Sequence, residues 1–323
     1  MELTFVDAIR QALIEEMRRD PAVFLMGEDI GVYGGAFKAT AGLVDEFGPQ
    51  RVIDTPLAES AIVGAAIGAS YTGMRPVVEM QFMDFVACCF NQITNFAAKS
   101  HYRWNAPVPI VIRGPVGGGV HGGPFHSQNP EMYFVHTPGL KVVEPATPGD
   151  AFGLLLAAIR DNNPVLFLEH KFLYRRLKED VAIDAPPIPL GRAKVARPGR
   201  DLSVITYGAM VQTALATADQ LAARGIEVEV LDLRTLLPLD CDAIAATARK
   251  TSKVLILHED TRTGGIAGEI TAILQERCFD DLDGPILRLT SGDAPVPFSP
   301  PLEEAFLPSA QALANHIERL ARF

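Results

Sequence analysis

Three groups of residues in this chain have types and spacings that could do chemistry. The first is Glu59 in "DTPLAESAIVGAAIGAS". Thr55 and Pro56 mark a helix start, since proline suits the first helical position. Glu59 is then expected about one turn inside the helix, one residue too far for a capping box with Thr55. Much of the following helix is small: Gly64, Ala65, Ala66, Gly68, Ala69 and Ser70. Small residues permit close packing against another helix or subunit. A carboxyl at the buried start of such a helix has a raised pKa unless paired, which suits proton transfer. The plainer reading is a solvated glutamate favoured by the helix dipole.

The second group is the loop "GPVGGGVHGGPFHSQ", Gly114 to Gln128. Gly117, Gly119 and Gly122 fit the spacing G-x-G-x-x-G. In a dinucleotide fingerprint the last glycine opens a helix whose N-terminus meets the pyrophosphate. Here Gly122 runs into Gly123, Pro124 and Phe125, and no amphipathic helix starts. The better reading is a loop that approaches a ligand closely and presents His121 or His126. The third group lies at strand ends: Glu28 and Asp29 in "GEDIG", and Phe82 and Phe85 in "EMQFMDF". Carboxyl ends of strands are where open α/β sheets bind ligands. The aromatics are either simple core or a stacking surface for a flat ligand.

The elements that must position these groups alternate. "AVFLMGED", "RVIDT", "RPVVEM", "VPIVIRG", "KVVEPAT" and "PVLFLEH" read as strands, with amphipathic helices between them. The first helix spans 4–19 with Thr4 as its cap. "FVACCFNQITNFAAKSHYRW" reads as one continuous helix. This rhythm predicts an α/β fold with a parallel sheet. A segment rich in Pro, Gly and charge, "DAPPIPLGRAKVARPGRD", interrupts it. The rhythm then restarts from "LSVITYG" to "PILRLT". The expected division is a first α/β domain over 1–180, a linker over 181–200 and a smaller α/β domain over 201–323.

At 323 residues, both domains are large enough to bury a core. The net charge of −10, with no basic cluster, argues against nucleic acid or an anionic membrane as partner. No run of transmembrane length is free of charge. The opening "MELTFVDAIRQALIEEMRRD" mixes acids and bases, unlike a signal or transit peptide, so a cytoplasmic location is expected. Cys88, Cys89, Cys241 and Cys278 form no C-x-x-C motif and read as reduced, buried thiols.

Taken in order, "GEDIGVYGGAFKATAGL", "DTPLAESAIVGAAIGAS", "EMQFMDF", "NQITNFAAKSHYR", "FHSQNPE", "TPGLKVVEPATPGDA" and "HEDTRTGGIAGEI" resemble a family. It is the beta subunit of the thiamine-diphosphate-dependent decarboxylase component of 2-oxo-acid dehydrogenases, which includes pyruvate, branched-chain and acetoin enzymes. The resemblance spans Phe5 to Pro308. It implies a transketolase-like pyrimidine-binding domain, a transketolase-type C-terminal domain and an α2β2 heterotetramer. It implies that Glu59 hydrogen-bonds the aminopyrimidine nitrogen of thiamine diphosphate and so promotes deprotonation of the thiazolium carbon. Phe85 matches the aromatic that packs on the pyrimidine. His126 matches a histidine implicated in passing the acyl group to lipoyl. Glu28 matches an acid lining the channel between two active sites.

Related single-chain enzymes hold the diphosphate and Mg²⁺ through G-D-G and a later Asn. This chain has only "SGDAP", which implies that an alpha subunit supplies that half of the site. Further partners implied are the lipoyl acyltransferase and dihydrolipoyl dehydrogenase. "IRDNNPV" resembles a loop that in some relatives holds potassium through carbonyls, which would make Ala158, Asp161 and Asn163 ligands. A helix end ahead of Pro164 explains the same string. "GGGVHGGPFHSQNPE" and "AAKSHYR" are closer to branched-chain and acetoin types, while "RWNAPVP" is shorter than the segment expected there. The side chain of the 2-oxo acid stays open at this point. So do two rivals: one half of a split transketolase-like enzyme, and a non-catalytic assembly subunit.

Overall fold

The structure is a computed structural model that describes residues 1–323. The chain divides into two compact units, Met1–Val116 with Tyr133–Leu190, and Gly117–Met132 with Gly191–Phe323. The glycine loop thus groups with the second unit, although the strand before it belongs to the first.

In the first unit β1 (Glu2–Thr4) leads into α1 (Phe5–Arg19). The Thr4 hydroxyl accepts the Asp7 N–H at 3.2 Å and caps the helix. Phe5, Ile9, Ala12, Leu13 and Met17 form its buried face. The chain continues through β2 (Val23–Gly27), α2 (Leu43–Phe47), β3 (Val52–Asp54), α3 (Glu59–Ser70), β4 (Arg75–Glu79), α4 (Ala98–Trp104) and β5 (Val111–Val116). It re-enters the unit within the short α5 (Glu131–Val135), then forms β6 (Lys141–Val143), α6 (Pro148–Arg160), β7 (Val165–His170) and β8 (Lys178–Asp180). The main strands lie in the order β6-β7-β5-β4-β2-β3, every pair parallel. Val77, Val78, Ile112, Leu166 and Phe167 are at most 2% exposed, the unbroken apolar run that a sheet covered on both faces requires. β1 and β8 pair antiparallel beside it.

Two local departures concern the site. First, α3 begins at Glu59, with Ala58 as an N-cap that makes no side-chain bond, so Glu59 opens the helix rather than lying a turn inside it. The Thr55 N–H donates to the Gly27 carbonyl at 2.9 Å, which holds the chain against β2 up to Thr55. Second, the continuous helix expected after Phe85 is three pieces. Met83–Cys89 is 3₁₀, Gln92–Ala97 is a π-helix, and only α4 is regular. Thr94 Oγ1 bonds the Phe90 carbonyl (2.9 Å) and Ser100 Oγ the Phe96 carbonyl (2.6 Å). Such back-bonding competes with the helix ladder.

The second unit contains β9 (Lys194–Arg197), β10 (Leu202–Thr206), α7 (Met210–Ala222), β11 (Val228–Asp232) and β12 (Thr235–Leu237). It continues with α8 (Cys241–Thr251), β13 (Val254–Thr261), α9 (Ala267–Cys278), β14 (Leu287–Ser291), α10 (Pro300–Phe306) and α11 (Ala310–Leu320). Its sheet runs β14-β13-β10-β11-β9, parallel except for the antiparallel edge strand β9. β9 lies inside the segment read from sequence as linker. Its charge fits an edge strand: Arg197 bonds Asp219 at 3.0 Å and Glu227 at 3.1 Å.

Candidate active site

The parallel order of β2, β3 and β4 brings their carboxyl ends together, and the acids follow. Glu28 comes directly after β2, Asp54 ends β3 and Glu79 ends β4. Glu59 opens the helix after β3. Glu28 is buried and Glu59 half-buried. Burial raises the pKa of the Glu28 carboxyl, and the negative charge of Glu59 raises it further. The Ala58 N–H opposes this by bonding the carboxylate. The Oε1 of Glu28 is buried with no hydrogen-bond partner in the chain. Such an atom costs free energy unless something else satisfies it.

The aromatics stand on the next turn. Phe85 meets Phe82 edge-on with ring centroids 6.0 Å apart, and Phe82 meets Phe37 the same way at 5.5 Å. Phe82 and Phe85 are both half-buried, so neither is simple core. Ser60 Oγ donates to the Cys88 carbonyl, which ties the start of α3 to the 3₁₀ turn that carries Phe85. Burial and the nearby Glu59 push the Cys89 thiol up to about 12, which makes it inert. Cys88 is exposed, contrary to the expectation that all four thiols are buried.

Below these residues lies a network that the sequence reading missed. Arg113 on β5, 2% exposed, donates to both oxygens of Glu169 on β7 at 2.6 and 2.7 Å, and also bonds Glu79. Tyr174 Oη donates to Glu169 at 2.7 Å. Burial raises the pKa of the Glu79 carboxyl although Arg113 opposes it. One guanidinium thus serves two carboxyls under the site. The signal lay in a charged residue within each of three otherwise apolar strands, but only sheet order shows that they meet.

His126 lies on the loop of the second unit. It follows a single 3₁₀ turn, Gly123–Phe125, and no α-helix opens until Glu131, so the loop has no dinucleotide-type helix N-terminus. Glu28, Glu59 and Phe85 stand together in the first unit, and His126 belongs to the other.

The segment considered for potassium is held by side chains. Arg75 Nη1 donates to the carbonyls of Ile159 (2.9 Å) and Asp161 (3.0 Å), and Nη2 to Asn162 Oδ1 (2.5 Å). The Ala158 carbonyl accepts the Asp161 N–H at 3.3 Å. Lys141 pairs with the Asp161 carboxylate, which also accepts from Asn163 N–H at 2.8 Å and Asn163 Nδ2 at 3.0 Å. Burial alone would raise the Asp161 pKa, but these bonds outweigh it and hold it low. Two side-chain cations, Arg75 and Lys141, thus bond this loop at Ile159, Asp161 and Asn162.

Two family descriptions match the chain: "Transketolase, pyrimidine binding domain" over residues 1–176 and "Transketolase, C-terminal domain" over 191–313. The chain is 51% identical to the 2-oxoisovalerate dehydrogenase subunit beta of Bacillus subtilis (strain 168), with 99% of each covered. It is 44% identical to the pyruvate dehydrogenase E1 component subunit beta of the same organism, with 100% of this chain and 99% of the relative covered. Among solved structures it superposes on a split-gene transketolase described as an inactive beta4 tetramer. The TM-score is 0.81 at 22% identity, covering 99% and 98% of the chains, which is a likeness of fold. The expected transketolase-like α/β fold is present. The chain belongs to the family of beta subunits of the decarboxylase component of 2-oxo-acid dehydrogenases.

Proposed function

We propose that this chain supplies the pyrimidine-binding half of a thiamine-diphosphate site and, with an alpha subunit in an α2β2 assembly, carries out oxidative decarboxylation of a 2-oxo acid. The observation that carries this reading is the pair Glu28 and Glu59, one with a buried unpartnered oxygen, beside half-buried Phe85. These residues fit an aminopyrimidine: a carboxyl for the ring nitrogen and an aromatic surface for the ring. When bound, thiamine diphosphate supplies the nucleophilic carbon and the electron sink for loss of CO₂.

Glu59 holds the aminopyrimidine nitrogen by hydrogen bond and sets its proton balance. Phe85 packs on the ring and excludes water. Glu28, whose carboxyl pKa is raised by burial and by the charge of Glu59, stands next to it. His126 delivers a proton to the departing sulfur of the lipoyl disulfide. In that step the lipoyl S–S bond would break, its departing sulfur taking the proton, and the acyl group would exchange its bond to the cofactor for one to the other sulfur, the two electrons that reduce the disulfide being those left by CO₂ loss. The diphosphate and Mg²⁺ fall to the alpha subunit, because this chain has no G-D-G. The lipoyl acyltransferase receives the acyl group. The relative named for 2-oxoisovalerate is 51% identical and the one named for pyruvate 44%, which favours a branched-chain substrate.

Glu59→Gln tests the reading. It keeps the shape and removes the acid. The expected outcome is an assembled heterotetramer whose decarboxylation falls roughly 10²–10⁴-fold, the usual worth of a positioned acid–base group. Unchanged turnover would overturn the assignment.

A further inference from the structure

The loop from Gly117 to Asn129 has more glycine than a side-chain-presenting segment should tolerate. Gly117, Gly119 and Gly123 have φ between +68° and +83°, and His121, with a side chain, sits at φ +61°. Left-handed backbone is unfavourable for a non-glycine residue. A segment this free loses conformational entropy at every residue on ordering. Something must hold it.

Two buried carboxylates do so, both through backbone N–H groups. Glu303 on α10, 1% exposed, accepts from Gly119 N–H at 3.0 Å and His121 N–H at 3.1 Å, and meets His121 Nδ1 at 2.6 Å. Glu259 on β13, 7% exposed, accepts from Gly118 N–H at 2.5 Å and from the Asn129 side-chain amide at 3.3 Å. Glu259 therefore ties the start of the loop to its end, and Gly117 N–H closes the base on the Gln128 carbonyl at 3.2 Å. A Cβ on Gly118 would meet Glu303 Oε1 at 3.2 Å, and one on Gly122 would meet Ser127 Oγ at 2.8 Å. The glycines make room for the carboxylates and for the loop's own return. Bonds from N–H to an ionised carboxylate are about twice as strong as neutral ones and depend on no loop side chain.

We propose that Glu303 and Glu259 are positioning residues for His126, holding its loop in the one shape that serves acyl transfer to lipoyl. The proposal rests on the role given to His126 above. Precision is what it explains, because catalytic groups must be held within about 0.5 Å of their productive geometry.

The test uses the reconstituted heterotetramer with thiamine diphosphate and Mg²⁺, and measures two half-reactions separately. These are decarboxylation with an artificial electron acceptor and reductive acylation of a free lipoyl domain. Glu303→Gln keeps the size but replaces one acceptor oxygen with a donor that faces other donors. Its kcat for acylation is expected to fall about 10–100-fold, the scale of a misplaced group. KM for the lipoyl domain and the decarboxylation rate should stay within about twofold. His121→Asn tolerates the left-handed backbone and removes only the ring contact, so a smaller loss confined to acylation is expected if Glu303→Gln does not fold. Equal losses in both half-reactions, or none in either, would overturn the positioning role. His126→Ala separates the two claims. If it leaves acylation intact, the role of His126 fails. If it abolishes acylation while Glu303→Gln and His121→Asn do not reduce it, only the positioning proposal fails.

Discussion

Glu131 shows how far a single residue can be moved from its ordinary chemistry. Its carboxyl is fully buried, and Tyr207 Oη donates to Oε1 at 2.6 Å. Burial, with Asp260 close by, pushes its pKa up to about 8, although the Tyr207 bond opposes the rise. Asp260 is itself pushed up to about 6, mainly by burial. Glu259 adds negative charge, and His258 beside Tyr207 is pushed down to about 4 by burial and stays neutral. The folded chain therefore keeps a proton on Glu131 that the unfolded chain releases near its ordinary value of 4.5. The stability from this group is fully present below about pH 4.5 and is lost as pH rises through about 8, at up to about 1.4 kcal/mol per pH unit. Glu131→Gln should flatten that fall, measured by denaturant unfolding of wild type and variant between pH 5 and 8.5 on the order of every half unit. Parallel pH profiles would contradict the burial argument. Glu28, Glu59, Phe85 and His126 could be picked from the sequence because their neighbours form strings that are uncommon together. Glu131, Glu79 and Arg113 could not, because their chemistry comes from contacts made across sheets and loops.

At the scale of elements, the C-terminal end of α6 is the clearest case of one element finishing another. The helix leaves carbonyls without partners, as every helix does. Arg75, the first residue of β4, caps two of them and the Asn162 side chain besides. Arg75→Met should cost about 1–2 kcal/mol, the worth of charged hydrogen bonds reduced by partial exposure. Wild-type Tm should be the same in potassium as in sodium at equal ionic strength. A Tm that rises in potassium alone would mean that the carbonyls of Ala158, Asp161 and Asn163 gather around the ion instead. The alternation of strands and helices was legible from periodicity, and the Thr4 cap from residue type. The start of α3 was not, because the Thr55 N–H still bonds the Gly27 carbonyl of β2 and the helix opens only at Glu59. The π-helical turn was hidden too, since Thr94 and Ser100 look helical until their hydroxyls take backbone carbonyls.

At the scale of the molecule, the face of α3 that carries the small residues is open. A Cβ at Gly64 or Gly68 on α3 would meet nothing within 4 Å, so the small-residue face opens away from the unit's core. Leu57, just ahead of that helix, is 79% exposed, and Tyr102 on α4 is 97% exposed. No helix is long and apolar enough to cross a membrane.

The central claim is that the catalytic site is completed only by an alpha subunit. The most direct measurement is decarboxylation of 2-oxoisovalerate and pyruvate, with thiamine diphosphate, Mg²⁺ and an artificial electron acceptor. It is run on this chain alone, the alpha chain alone and the two mixed. Turnover is expected only in the mixture, fastest with 2-oxoisovalerate. Turnover by this chain alone would contradict it, since the diphosphate and its metal would then be held by residues of this chain.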